Sequence, residues 1–348
     1  MLDLSPRDAI TQTVDRLDPP SAEWRRNAAA GAPSAESHDA LKDEAACLNA
    51  LRVVQPPAAP ETEAPRQLRI AAWNLERCKH VEESARLLRR AGADICLLSE
   101  MDLGMARSGN RDTTADLAGE LGLGHAYGVE FIELGHGDPR EEAAHADTPN
   151  QAGLHGNAVA TRFAIDRTAM LPLDGGGLWF AGDDAGKQRR VGGRMAVAVR
   201  HLLPEPLWVI AAHFESRLDA LDRDREMRVL LAHVGTLCGE EPVLIGGDFN
   251  CKSIQEAGLF GEEVLKTPHD GEPMFTRMAE AGFDWWTCNS PGVTTRRHSW
   301  QDQANPRKKL DWFFSRGLTC SSARVVPAVD RSRGNLSDHE LILVTLEL

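Results

Sequence analysis

Nowhere in the 348 residues does an uninterrupted apolar run approach the roughly 18 that a membrane-spanning helix needs. The opening Met1-Leu2-Asp3-Leu4-Ser5-Pro6 also lacks the basic segment and apolar core of a secretory signal. Cys-x-x-Cys pairs are missing. The seven cysteines (Cys47, Cys78, Cys96, Cys238, Cys251, Cys288 and Cys320) are scattered, and an odd number cannot all pair internally. They read as reduced thiols of a cytosolic protein, mostly filling the core. No His or Cys cluster has zinc spacing, which argues against a zinc site. Positive charge is in deficit, with 39 Lys and Arg against 52 Asp and Glu and a formal charge of -13. A broad grip on a nucleic-acid backbone depends on Lys and Arg displacing counterions, so nucleic acid is disfavoured as a partner. A local basic pocket stays open. No internal repeat is apparent, and the sequence carries no signal for oligomeric state.

What is present is ordinary material for a soluble globular protein: 42% apolar residues, enough for a sizeable core. The expected organisation is one large domain with an appendage. Residues 1–54 are rich in Ala, Pro and charge, and helical spacing appears from Pro6 to Leu17 and from Ala35 to Val54. Residues 55–66, from Gln55-Pro56-Pro57 to Pro65, read as an extended proline-rich linker. From residue 67 to 348, strands alternate with helices. Strands are expected at Leu68–Trp73, Asp94–Ser99, Met195–Val199, Leu207–Ala212, Pro242–Ile245, Lys309–Phe314 and Glu340–Leu346, and helices at Val81–Ala91 and Arg223–Leu237. The Gly135–Ala152 stretch reads as a mobile loop. Mixed elements with long loops point to α/β layers rather than a doubly wound sheet.

The informative pattern is polar residues placed at strand ends. Asn74 follows one strand, Glu100 ends another, and Asp248 with Asn250 follows a third. A carboxylate at the end of a buried strand must be paired, solvated or bound to a metal. Oxygen donors such as Glu100, Asn74 and Asp311 suit a hard cation, magnesium or manganese. Near the C-terminus, Ser337-Asp338-His339 places a histidine and a carboxylate at a strand mouth, an arrangement suited to acid-base work or to charge on a phosphoryl oxygen. Singly, each has a plain structural use: a salt bridge for Glu100, a turn or cap for Asn74, a tight turn for Gly246-Gly247-Asp248-Phe249-Asn250.

In order along the chain stand Trp73-Asn74-Leu75-Glu76, Asp94-Ile95-Cys96-Leu97-Leu98-Ser99-Glu100, His155-Gly156-Asn157-Ala158-Val159-Ala160-Thr161-Arg162 and Ala212-His213-Phe214. Gly246-Gly247-Asp248-Phe249-Asn250, Lys309-Leu310-Asp311-Trp312-Phe313-Phe314 and Ser337-Asp338-His339 follow. Together they resemble the motifs of the endonuclease/exonuclease/phosphatase superfamily, the deoxyribonuclease I-like fold. The resemblance implies a four-layer α/β sandwich of two packed mixed β-sheets flanked by helices, here with an N-terminal helical appendage and an active site at one end of the sandwich. It implies Glu100, Asn74 and Asp338 at the metal, and Asp248 orienting or deprotonating the attacking water. Asn250 and Asn157 are implied to donate to the phosphate, His339 to face it with support from Asp311, and His213 to assist the leaving group in some members. Arg194, Arg296 and Lys309, with Arg189, Arg190, Arg297 and Lys308, are candidates for a basic phosphate pocket. Trp285, Trp286, Trp300 and Trp312 are divided between cleft and core. The segment Met101–Arg111 follows the metal carboxylate and is expected as a substrate-reading loop.

The implied activity is a phosphodiesterase or phosphatase on a small or lipid-like phosphate ester, dependent on Mg2+ or Mn2+. A magnesium-dependent nuclease is the alternative enzyme, and a noncatalytic phosphate-binding module the alternative from another class. Loops around a shared site set the substrate, which the motifs do not name.

Overall fold

In the computed structural model, residues 8–57, 66–174, 176–181, 188–298, 300–302, 304 and 306–348 are described. Its strands are β1 (Thr13–Val14), β2 (Leu51–Val54), β3 (Gln67–Arg77), β4 (Ile95–Leu103), β5 (Gly124–Glu133), β6 (Leu154–Thr161), β7 (Arg167–Pro172), β8 (Arg190–Gly192), β9 (Met195–Leu202), β10 (Pro206–His213), β11 (Val243–Asp248), β12 (Asp311–Arg316), β13 (Thr319–Val326), β14 (Val329–Asp330), β15 (Gly334–Asn335) and β16 (Leu341–Glu347). The larger sheet runs β1-β2-β5-β6-β4-β3-β16-β13 with β8 against β5, and the smaller runs β12-β11-β10-β9-β7. Both are mixed: β3 pairs β4 and β10 pairs β11 in parallel, among antiparallel neighbours.

Period-two patterning explains the layers, because successive side chains on a strand face opposite sides. On β3, Ile70 and Ala72 join Leu97, Val197, Val209 and Leu244 in a core between the sheets, while Ala71 and Trp73 face outward. The outward residues are covered by α3 (Val81–Ala91). On β11, Leu244 faces inward, and Val243 and Ile245 meet Met227, Leu230 and Val234 of the long helix Ala220–Cys238. Two sheets with helices on both outer faces make the four-layer α/β sandwich that the resemblance implied. Helix α3 follows its apolar spacing to Ala91 and stops at Gly92, whose φ of 71° suits a left-handed C-cap.

The N-terminal region departs from expectation. Pro6 and Arg7 lie outside the described residues, and the helix expected up to Leu17 does not form over the rest. Ile10 bridges Met170 instead, and Thr13–Val14 pairs in parallel with Leu51–Arg52. The second expected helix ends at Glu44, and its last residues form β2, which pairs β5. Val53 and Val54 are β-branched, and the open edge of β5 offers them backbone partners that an isolated helix would not. The helices that do form, Ala22–Ala30 and Ala35–Glu44, are capped by Ser21 and Ser34. Arg25 donates to the carbonyls of Asn150 (2.7 Å) and Ala152 (2.8 Å), tying this region to the loop that leads into β6. Most of the expected linker, residues 58–65, lies outside the described residues.

Two expected loops are partly regular. Pro139–His145 is a helix begun by a capping box in which Asp138 and Glu141 satisfy each other's backbone N–H groups. Strand β4 continues through Glu100 to Leu103, and Arg107 in the following turn is buried in ion pairs with Asp102 (2.8 Å) and Glu133 (3.0 Å). Among the described residues, no helix is long and apolar enough to cross a membrane.

Candidate active site

Strand register assembles the site. In the smaller sheet His213 pairs with Asp248, and Asp248 with Asp311, so three adjacent strands present these side chains side by side at one end. From the larger sheet, Asn74 stands on β3 beside Ser99 of β4, one residue before Glu100. His339 precedes β16 and bridges Thr295. The Gly246-Gly247 pair is demanded by packing rather than by a tight turn. A Cβ on Gly247, with φ of 146°, would lie 2.0 Å from the Ala212 carbonyl oxygen, and one on Gly246 would lie 2.6 Å from the Phe313 ring. Small residues here let three strands and the second sheet close together beneath Asp248.

A chain of polar contacts runs through the cleft. Asp311 Oδ2 is 2.8 Å from His339 Nδ1, and His339 Nε2 faces Asp248 Oδ2 at 3.6 Å. Asp248, 2% exposed, accepts from the Asn250 backbone N–H at 2.9 Å and from the Asn74 amide at 3.2 Å. The same Asn74 amide donates to Glu100 at 3.1 Å. His213 Nε2 lies 3.7 Å from Asp248, and its Nδ1 faces the Arg194–Glu130 ion pair. Burial works against a charged imidazole at His339, but Asp311 and Asp248 outweigh it and hold its pKa well above the ordinary histidine range.

Glu100 owes its position to a β-bulge. The β4–β6 register shifts between Leu98 and Met101, and Glu100 takes a φ of 57°, a strained conformation for a residue with a Cβ. Burial opposes its ionisation and Arg77, 2.5 Å away, overcomes that, so the carboxyl stays well below the ordinary range. Asp338 is different: burial, with Glu76 and Glu100 adding to it against the pull of His339, pushes it up to about 6. Asn74 turns its amide nitrogen toward Glu100 and Asp248 and its Oδ1 accepts from the Glu76 backbone N–H (3.1 Å), so the oxygen donors of this corner are the carboxylates of Glu100 and Asp338, a ligand type that suits a hard divalent cation. Asp248, Asp311 and His339 also bring one ligand atom each within 4.8 Å of one another. The His339–Asp311 hydrogen bond accounts for that closeness, and an oxygen-only set suits magnesium better.

Asn74, Glu100, Arg194, His213, Asp248, Asn250, Asp338 and His339 therefore line one cleft of about 250 Å³. Asp311 lies directly behind His339. Two of the expected phosphate contacts are not in the cleft. Asn157, fully buried, donates to the Met195 carbonyl (3.0 Å) across the sandwich. Lys309 is 1% exposed, donates to the Asp311 carbonyl (3.2 Å) and lies over the Trp312 ring; burial pulls its pKa down to about 8. Arg194 reaches the cleft already engaged by Glu130 and Glu215. Arg296 pairs with Glu340 and lines a broader neighbouring basin of about 1010 Å³ that also opens on Asp338 and His339. Lys252, Arg297, Arg307, Lys308 and Trp300 share that basin, giving the acidic protein a local basic face. Trp312 is core, Trp285 packs against it, and Trp286 and Trp300 are exposed.

Several cleft residues carried no signal in the sequence reading: Arg77, His155, Trp179 and Gln188. His155 pairs across the strands with Asp102, whose Oδ1 is 2.7 Å from its Nδ1. A polar residue two before Asn157 on one strand shares its face, and that alternation was the available clue.

Residues 71–339 match the Endonuclease/Exonuclease/phosphatase family. The chain is similar to a solved endonuclease/exonuclease/phosphatase from Beutenbergia cavernae DSM 12333 at 19% identity, over 82% of this chain and 72% of that one, with a TM-score of 0.54. It is similar to the endonuclease/exonuclease/phosphatase from Bacteroides vulgatus at 16% identity, over 82% and 100%, also at 0.54. TDP2 from C. elegans is 14% identical over 83% of this chain and 77% of that one, at 0.50. At such identities the likeness is one of fold. No curated protein matches the chain.

Proposed function

This chain belongs to the endonuclease/exonuclease/phosphatase family, and from that premise we propose that it hydrolyses phosphate esters with a divalent cation, magnesium or manganese, as a phosphodiesterase or phosphatase on a small or lipid-like substrate. Phosphoester hydrolysis is the chemistry that the family's members share in general. The observation that carries the reading for this chain is the unbroken contact series Asp311–His339, Asp248, Asn74 and Glu100 along one cleft.

In-line attack at phosphorus needs a placed water, neutralised nonbridging oxygens and help for the leaving oxygen. Asp248, fixed by Asn74 and by the Asn250 backbone, would orient the water and accept its proton. His339, kept charged by Asp311, would present Nε2–H to a phosphoryl oxygen. Asn250 uses one amide proton on the Phe214 carbonyl and has a second for the phosphate. His213, with Glu130 3.5 Å from its Nδ1, would protonate the leaving oxygen. Glu100 and Asp338 would hold the cation, which when bound offsets the charge that builds on the phosphoryl oxygens.

The test is hydrolysis of bis(p-nitrophenyl) phosphate by the full chain with Mg2+, then with a chelator, then with Mg2+ restored. Turnover that stops and returns is expected; undiminished turnover in chelator would remove the metal from the reading. The basic basin favours one second reading, a nuclease acting on a short strand. Magnesium-dependent cutting of an oligonucleotide without diester turnover would select it. The seven cysteines, none of them paired, support a reducing, cytosolic setting.

A further inference from the structure

The cleft has a second end that the mechanism above does not use. There, Arg190 of β8, Gln188, His155 and the Trp179 ring form the wall. Arg190 is 5% exposed, is paired through one nitrogen with Glu133 (3.0 Å), and lies over the Trp179 ring at 4.7 Å. Its Nε is buried without an acceptor among the described residues, as is Gln188 Nε2. His155 commits Nδ1 to Asp102 and Arg107. Native proteins pair nearly all buried donors, so two idle ones side by side on one cavity mark a place where a ligand supplies acceptors. The idle carboxylate oxygens nearby belong to Glu130 and Glu133, which do not line the cleft.

This end is separate from the reacting phosphate. In the larger sheet the order from Glu100 is β4, β6, β5, β8. Three strand spacings of about 4.8 Å put the Arg190 backbone roughly 14 Å from that of Glu100. Side chains shorten that gap, but a phosphate seated between Asp248 and His339 would leave the Arg190–Gln188 end for another group.

We propose that the Arg190–Gln188 end is a subsite for a second anionic group of the substrate, a phosphate or a carboxylate, so that the preferred ester carries two anionic groups rather than one. The proposal rests on the hydrolytic reading above and narrows its substrate class. Guanidinium and amide N–H groups with no acceptor of their own select an oxyanion over a hydroxyl, because a charge-assisted hydrogen bond is stronger than a neutral one.

Three p-nitrophenyl alkyl phosphodiesters, ending in a phosphate, a carboxylate or a hydroxyl, test it in the magnesium-supplemented full chain. The wild type is expected to show a KM for one of the anionic esters at least about tenfold below that for the hydroxyl ester, the size of one charge-assisted hydrogen bond. Which ester it is names the anion. In Gln188→Leu and Arg190→Lys that KM ratio is expected to fall toward one. Equal KM values in the wild type, or an unaltered ratio in both variants, would overturn the subsite. If the wild type hydrolyses none of the three, the hydrolytic reading has failed. Inorganic phosphate titrated calorimetrically into wild type and Gln188→Leu then reads the subsite alone: weaker binding by the variant upholds it, and equal or absent binding overturns it.

Discussion

Glu100 sits where two demands meet: its bulged backbone turns the carboxylate into the cleft, and Arg77 and Asn74 keep it ionised there. Glu100→Gln keeps the shape and the hydrogen-bond acceptor but removes the charge. The Mg2+ concentration for half-maximal turnover is expected to rise by at least about tenfold, in line with losses at other metal sites. An unchanged magnesium titration would take Glu100 out of the metal set. At this scale the sequence showed which residue types were available and which strand ends bore them. Depth along a strand was not legible. Asn157 and His155 share a face of β6, yet two residues, roughly 7 Å of strand, separate a side chain that bonds the Met195 carbonyl inside the sandwich from one that lines the cleft. Lys309, two residues before Asp311, is likewise spent inside the fold, buried over the Trp312 ring.

At the scale of elements, irregular strands build the site. On both neighbours of β6 the register breaks beside Gly156: β4 between Leu98 and Met101, opposite Gly156–Ala158, brings Glu100 to the cleft, and β5 between Val129 and Phe131, opposite His155–Gly156, turns Glu130 toward His213. Gly156 permits this crowding, since a Cβ there would lie 2.0 Å from the Gly128 carbonyl oxygen. Gly156→Ala is expected to cost at least about 1–3 kcal/mol, as overpacking does, with a fall in the urea midpoint and in turnover together. A variant as stable as wild type would mean the strands can part there without cost. Bulges were invisible in the sequence because their residues are ordinary in type and only pairing reveals them. Long elements with strong periodicity, such as Val81–Ala91, were legible to the residue. Short ones yielded to tertiary partners: Leu51–Val54 takes the edge of β5 although its spacing continues a helix. The helix Pro139–His145 was legible in principle from Asp138-Pro139-Arg140-Glu141, a capping signature inside a polar stretch.

For the molecule as a whole, buried histidines couple folding to pH. His125 is buried with neither ring nitrogen bonded among the described residues, and burial, with Arg52 adding to it, pulls its pKa down to about 4. Since its folded pKa lies below the unfolded value near 6.5, its neutral form stabilises the fold fully above about pH 6.5. That contribution is lost as pH falls toward 4, when the unfolded chain takes up the proton first. His125→Gln is therefore expected to gain stability relative to wild type, by up to about 3 kcal/mol, as pH drops from 7 to 4. Parallel urea titrations at those pH values check it, and a pH-independent difference would show that His125 already protonates in the fold. The large-scale architecture was legible because ordered motifs specify which strand ends converge, however distant in sequence. The net charge of -13 was a poor guide to the surface beside the site, where Lys252, Arg296, Arg297, Arg307 and Lys308 gather. Composition averages over the surface, and the fold sorts it.

Asp248 and His339 are the residues proposed to carry phosphate-ester hydrolysis in this cleft. The most direct measurement of that role is magnesium-dependent turnover of bis(p-nitrophenyl) phosphate by wild type, Asp248→Asn and His339→Ala, each confirmed folded by circular dichroism. Measurable wild-type turnover is expected, with a loss of about 10²-fold to 10⁴-fold in each folded variant. Turnover by either folded variant at the wild-type rate would contradict that role.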